Sequence, residues 1–420
     1  MSSQSIPPDG SQRGIRRARW ATAAMFATNG AVFANVVPRY PDIVARLDLD
    51  TAAFGTAVAG YGLGAVVAGF VAAALVNRFG SARVAVGGTL AVAANLVLVG
   101  AAPSWLLLAL ALGLAGGLDS VTDIAENAQG LRVERQYGRS ILNSMHATWS
   151  IGAVAGGLMG SVAAGLEVPL VPHLAVAAAT AIALALVVRR QLLPGPDPAP
   201  DPAATVASPH RTAADSTGPT DSTGPSRRAG AGSRRLRLAG RLGALAVVGS
   251  MAQGIEDLTS TWSALYLRES LGAAAVVGGM GFVALQSLQT VGRLVGDRAV
   301  TAWGDRAVAR AGATVAALAM GIGLVVGSPA VTVAALGLVG LGIGTLIPAS
   351  LRAADSIPGL PRGVGLSVIG MGLRLTLLAS PLAMGALAEW QGLGVVMAAI
   401  PAAAVLALLL ASSLPPHPRR

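Results

Sequence analysis

Long apolar stretches follow one another along the chain with short polar breaks between them, near residues 20–37, 52–76, 84–102, 105–127, 141–165 and 170–188. A second series runs near 239–266, 272–296, 307–327, 330–351, 363–387 and 393–413. Each stretch matches the length of about 20 residues that a helix needs to cross the hydrocarbon core of a bilayer. The pattern therefore predicts twelve membrane-spanning helices in two sets of six. Between the sets, residues 189–238 lose the apolar pattern and become rich in Pro, Asp, Ser, Thr and Gly, with a near-duplicate D-S-T-G-P at Asp215–Pro219 and Asp221–Pro225. Such a segment cannot bury enough apolar surface to order itself and reads as a disordered linker. The expected organisation is a tail over 1–19, a six-helix bundle over 20–188, the linker over 189–238, a second bundle over 239–413 and a tail over 414–420.

Charge orients this arrangement. Arg189 and Arg190 flank one side of the linker, and Arg227, Arg228, Arg234, Arg235 and Arg237 the other, so the positive-inside rule places it in the cytoplasm. Alternate short loops agree, with Arg78 and Arg83, then Arg132, Arg135 and Arg139, then Arg298 and Arg306, then Arg352 and Arg362. The intervening loops hold only Arg39, Arg46 and Arg268, and Arg419 and Arg420 put the C-terminus with the linker. Both termini are thus expected on the cytoplasmic side of a bacterial-type inner membrane. Arg13, Arg16, Arg17 and Arg19 before the first apolar run resemble the charged start of a signal peptide. That run lacks a small-residue cleavage site and many spans follow it, so a retained first helix is expected.

Composition narrows the class. The chain of 420 residues is 53% hydrophobic and 12% charged, with a mean hydropathy of +0.64, values that fit a chain dissolved mostly in lipid. Aromatics are only 4% and Gly reaches 54, so small side chains supply the helix contacts, in spacings such as Gly60 with Gly64 and Gly152 with Gly156. A net charge of +10 would suggest nucleic acid in a soluble protein, but here the arginines sit between apolar runs and no aromatic-interleaved basic patch exists. Zero Cys excludes disulfides, thiolate metal sites and a Cys nucleophile. The absence of Lys excludes a phosphate-binding G-K-S/T loop. Gly340, Gly342 and Gly344 echo a dinucleotide loop but lie inside an apolar span with no preceding strand, so they read as packing positions. No enzyme activity, cofactor or metal is expected.

Two turns carry a recognisable pattern. N-R-F-G-S-A-R at Asn77, Arg78, Gly80 and Arg83 resembles the loop signature of the major facilitator superfamily, and G-R-L-V-G-D-R at Gly292, Arg293, Asp297 and Arg298 resembles its second-half counterpart. In that family such loops pair a carboxylate with arginines to hold one gate conformation. Asn77 replaces the usual Asp in the first copy, while Asp297 keeps it in the second. A finer resemblance is to the MosC-like branch, carried by P-R-Y-P-D (Pro38 to Asp42), D-I-A-E-N (Asp123 to Asn127), H-A-T-W-S-I-G (His146 to Gly152) and W-S-A-L-Y-L (Trp262 to Leu267). The resemblance implies parallel six-helix halves that rock around a central site, with the third helix of each triplet facing lipid. It also implies a small sugar-like or amine-bearing solute.

Polar residues in the spans mark the expected path, because they are costly in hydrocarbon unless paired or wetted. Spans three, six, nine and twelve hold little beyond Thr89, Asn95, Thr180 and Thr314. The first span has Asn29, the fourth Asp119, Asp123, Glu126 and Asn127, and the fifth Ser144 and His146. The seventh adds Gln253, Glu256 and Asp257, the eighth Gln286 and Gln289, and the eleventh Arg374. Asp119, Asp123 and Glu126 share one helix face, and clustered carboxylates in a low dielectric cannot all stay ionised, which suits proton coupling. Glu126, closest to the surface, is expected to be solvated and paired with Arg132 or Arg135. Adjacent Glu256 and Asp257 point about a hundred degrees apart, so only one is expected to face the cavity squarely, and Glu256 is favoured. Where relatives carry an acid just before the Trp, Thr261 stands here. Arg374 lies about 16 Å from either surface and needs a partner, either Glu256 or Asp257 in a structural ion pair or an anionic ligand. His146 is a candidate proton shuttle, and Asn29, Gln253, Gln286 and Gln289 suit a hydroxylated solute.

The expectation is an all-α membrane protein of the major facilitator fold, acting as a monomeric, proton-linked carrier of a small polar organic solute by alternating access. Two alternatives stay open: efflux of drugs or amphipathic metabolites, and a sensor on the same fold that does not transport.

Overall fold

A computed structural model describes residues 9–195, 226–358, 360–361 and 363–416, and these form helices and turns with no strand. The first half comprises α1 (Asp9–Val36), α2 (Thr51–Phe79), α3 (Ser81–Ala101), α4 (Trp105–Tyr137), α5 (Leu142–Gly165) and α6 (Leu170–Val188). The second comprises α7 (Ser226–Leu265), α8 (Met280–Trp303), α9 (Asp305–Val326), α10 (Pro329–Ile343, resumed at Leu346–Asp355), α11 (Val364–Gln391) and α12 (Leu393–Leu410). The twelve expected helices are present in the expected order. Among the described residues, 11 helices are long and apolar enough to cross a membrane. The exception, α1, is diluted by Thr22, Thr28, Asn29 and Asn35, all of them buried.

Several boundaries differ from those expected. Helix α7 begins at Ser226 and α1 at Asp9, so each extends into a segment read above as linker or tail, while residues 196–225 and Arg362, Arg419 and Arg420 lie outside the described residues. The first signature does sit at a turn, where Gly80 alone joins α2 to α3 at φ 84°. The second does not: Gly292 to Arg298 lie inside α8, and the equivalent one-residue turn is Gly304, at φ 83°. Both glycines occupy backbone conformations that residues with a Cβ rarely adopt, and this shared geometry relates the halves better than the motif letters do.

Glycine also sets how closely the helices approach. A Cβ on Gly64 would stand on the Gly113 carbonyl, and one on Gly116 on the Tyr61 carbonyl, so α2 and α4 touch backbone to backbone. Gly152 and Gly156 of α5 meet the carbonyls of Ala27 and Ala31 on α1 in the same way. Gly340 meets Leu285 of α8, and Gly342 meets Gly312 of α9, so both serve packing, as expected. Without a hydrophobic driving force between helices in lipid, such close contact supplies the association energy through dispersion.

The halves meet along α2 with α11 and along α5 with α8, and they are shut at the end away from the chain termini. There Arg268 reaches Asp42 at 2.6 Å, Thr51 donates to Glu389 at 2.9 Å, and Phe54 stands edge-on to Trp262 at 5.5 Å. At the terminal end a vestibule of about 260 Å³ lies open between α5, α8 and α10, lined among others by His146, Arg293 and Arg352. The partly exposed Arg268–Asp42 pair is worth about 1 kcal/mol or less. Arg268→Ala is therefore expected to leave the fold intact and to raise labelling of a single engineered cysteine at Ser260 from the closed end by up to about fivefold. Zero native Cys makes that measurement free of background.

Candidate functional site

A cavity of about 330 Å³ lies between the halves, and each of its walls except α2 is a helix marked in the sequence by its polar content. Phe33 comes from α1, Tyr61 from α2, Asp119 and Asp123 from α4, and Trp149 from α5. Gln253, Glu256, Asp257, Ser260 and Thr261 come from α7, Gln286 from α8, and Arg374 from α11. Among the described residues, α3, α6, α9 and α12 contribute none.

On the first-half wall, Asp119 accepts a hydrogen bond from the Tyr61 hydroxyl at 2.7 Å, and Asp123 accepts one from Asn127 at 3.0 Å. Asn29 of α1 sits beside Asp119 and Glu126. Glu126 is not solvated and makes no pair with Arg132 or Arg135. It is 1% exposed and, among the described residues, neither carboxylate oxygen has a hydrogen-bond partner, because α4 runs on to Tyr137 and leaves residue 126 deep within the helix. Arg132 turns elsewhere, donating to the carbonyls of Pro194 and Gly195 at 2.8 and 3.3 Å.

On the second-half wall, Glu256 accepts from Gln289 at 2.8 Å and from Gln286 at 3.3 Å, with Arg293 at 3.8 Å. Asp257 also lines the cavity, so both acids face it, contrary to the expectation of one. The Oδ2 of Asp257 is buried without a partner among the described residues. Gln289 is buried behind Glu256 and supports it from outside the cavity lining. Arg374 forms no ion pair with Glu256 or Asp257; its guanidinium instead lies against Gly69 of α2, 3.2 Å from where a Cβ would stand.

The remaining candidates fall at the terminal end. His146 lines the vestibule, edge-on to Phe26 at 5.3 Å, and does not reach the central cavity. Asn77, Arg78, Arg83 and Arg298 are exposed, and Asp297 lines the vestibule. Among the described residues, an ion pair at this level joins Asp305, beside the Gly304 turn, to Arg352 at 2.7 Å.

Two features escaped the sequence reading. Tyr61 was hidden in an apolar run, although a Tyr one helix away from a buried acid is a natural partner. His173 lies on α6, a helix read as facing lipid, yet it bonds Asn35 at 3.1 Å and Arg39 at 3.3 Å. Arg39 in turn holds Asp42 at 2.5 Å and the Val168 carbonyl at 2.8 Å. The P-R-Y-P-D residues Arg39 and Asp42 were the available signal for this network behind the closed end.

The chain matches the family model described as Major Facilitator Superfamily over residues 22–288. It is 26% identical over 367 residues to an uncharacterized transporter of Sinorhizobium fredii, covering 87% of this chain and 90% of that one. It is 27% identical over 382 residues to the membrane protein MosC of Rhizobium meliloti, covering 89% and 84% respectively. Among solved structures it resembles the nucleoside transporter NupG, with a TM-score of 0.68 at 14% identity, covering 95% of this chain and 97% of that one. It also resembles a bacterial homolog of the human lysosomal transporter Spinster in an inward-facing, unoccupied conformation, with a TM-score of 0.72 at 12% identity and 98% coverage of both chains.

Proposed function

Since the chain belongs to the Major Facilitator Superfamily and is a transporter rather than an enzyme, we propose that it carries a small, hydroxylated organic solute by proton-linked alternating access. The observation that carries this reading is the central cavity, in which carboxylates, amides and hydroxyls from α4, α7 and α8 converge inside an otherwise apolar bundle. At about 330 Å³ it lies at the small end of ligand pockets. The carboxylates and amides set among its apolar side chains suit hydroxyl and amine groups.

The terminal end is assigned to the cytoplasm of a bacterial inner membrane on the arginine distribution, and the chain works as a monomer. The shut far end and open vestibule then correspond to the state that faces the cytoplasm. Asp119 and Asp123 are the solute- or proton-binding acids of the first half, and Glu256 that of the second. Glu126, buried beside Asn29, joins them as a coupling candidate, although its sequence position suggests solvent. Proton uptake at such a group would favour one conformation over the other by differential affinity, which is what coupling requires.

The test is transport by purified protein in proteoliposomes with an imposed pH gradient. Asp123→Asn is expected to lower gradient-driven accumulation at least tenfold while leaving solute exchange measurable. Accumulation indifferent to the gradient, in wild type and variant alike, would remove the proton-coupling claim.

A further inference from the structure

We infer that the transported solute bears an anionic group, a carboxylate or phosphate, held by Arg374, so that the central cavity is a bipolar site with a cationic α11 wall facing an acidic α4 wall. The inference rests on the reading of this cavity as the solute site and assigns the chemical class that fits it.

Arg374 lines the cavity, and among the described residues no carboxylate comes within ion-pair distance of it. Of the acids that line the same cavity, Glu256 is already engaged by Gln286, Gln289 and Arg293, and Asp119 by Tyr61. An unneutralised guanidinium at mid-membrane is costly, and such residues face water-filled cavities and mark ligand paths. Its planar fork of donors matches a carboxylate or phosphate in two parallel hydrogen bonds. The lack of a side chain on Gly69 lets the guanidinium lie against α2, at the seam between the halves. An anion bound there would touch the element whose movement opens and closes the path. Asp119 and Asp123, which line the same cavity, are suited to hydroxyl or ammonium hydrogens, and the hydroxyls of Ser260 and Thr261 add further acceptors. The site thus offers one cationic anchor and several acceptors, the arrangement for a hydroxylated or amino-bearing acid of monosaccharide size.

The experiment measures thermal stability of the detergent-purified protein at fixed ionic strength with glucuronate, glucose 6-phosphate, glucosamine, glucose, myo-inositol and inorganic phosphate, for wild type, Arg374→Gln and Arg374→Met. One or more of the acidic probes is expected to raise the wild-type midpoint by several degrees, with apparent affinity falling at least about tenfold in Arg374→Gln. Without probe, Arg374→Met is expected to be at least as stable as wild type, because it removes an uncompensated charge. No shift with any acidic probe, an equal shift in the Gln variant, or a marked loss of stability in the probe-free Met variant overturns the inference. A neutral sugar that stabilises wild type and both variants alike also overturns it, yet leaves the small-solute reading standing. Flux without a pH response bears on the proton-coupling claim alone.

Discussion

Gly55→Leu is expected to abolish transport, by more than a hundredfold, while leaving the helices of each half folded. The reason lies in where α2 crosses α11. A Cβ on Gly55 would stand on the carbonyl oxygen of Pro381 and 2.9 Å from the Cα of Gly385, while one on Gly385 would stand 2.8 Å from the Thr51 carbonyl. These neighbours are backbone, so no side chain can swing aside. Further along α2, a Cβ on Gly62 would stand 2.7 Å from the Leu377 carbonyl in the same sense. Pro381 inside α11 has no N–H to give that carbonyl, which leaves it free to meet the Gly62 backbone in a weak C–H contact. All of these contacts cross between the halves, so they exist only when the far end is shut. Overpacking there costs about 3 kcal/mol or more in the shut state alone, a factor of more than a hundred in its population. The protein would then stand open at the far end and fail to release solute at the terminal end. A single cysteine at Ser260 should label rapidly from the far side, with little change in melting temperature. Gly64→Leu supplies the contrast, since Gly64 meets Gly113 within one half and its loss should disrupt folding instead. Normal flux in Gly55→Leu would show that the crossing can loosen without consequence.

How much of this was visible in the sequence depends on which physical property set each feature. The number and order of helices follow from apolar length, a one-dimensional property, and they were legible from Trp20 to Ser413. Most helices around the cavity were legible too, α2 with its Tyr61 excepted, because mid-membrane Asp119, Glu256 and Arg374 have few places to go except inward. Helix rotation and end position were not. Glu126 and Arg132 lie less than two turns apart and look like a surface pair. In the fold the acid is sealed between α4 and its neighbours, while the arginine reaches out to cap the carbonyls of Pro194 and Gly195. Those carbonyls belong to a segment that follows α6, and nothing local to α4 foretells them. Gly292 to Arg298 failed for a related reason: the letters match a loop signature, but the backbone turn they should mark is made by Gly304. His173 was passed over because its helix was assigned to lipid as a unit, whereas burial is decided one face at a time.

Glu256→Ala is the second change with a large expected effect, acting on both stability and transport. Gln286 and Gln289 are each 1% exposed, and among the described residues the acceptor for both amide nitrogens is the Glu256 carboxylate. Their Oε1 atoms are already without partners there, so truncating Glu256 leaves two buried amides stranded, at about 1–3 kcal/mol each. Arg293, 3.8 Å from the same carboxylate and half in the vestibule, loses its counter-charge as well. A fall of several degrees in melting temperature should accompany loss of transport. Stability and function can then be separated by adding Gln289→Leu, because removing both partners of a buried hydrogen bond costs far less than removing one. The double variant should recover roughly half of the lost stability and none of the transport. That outcome would mean that Glu256 serves the solute or the proton in addition to holding α7 against α8. Recovery of transport together with stability would mean that the carboxylate is only a strut, and that the acids of α4 carry the coupling alone.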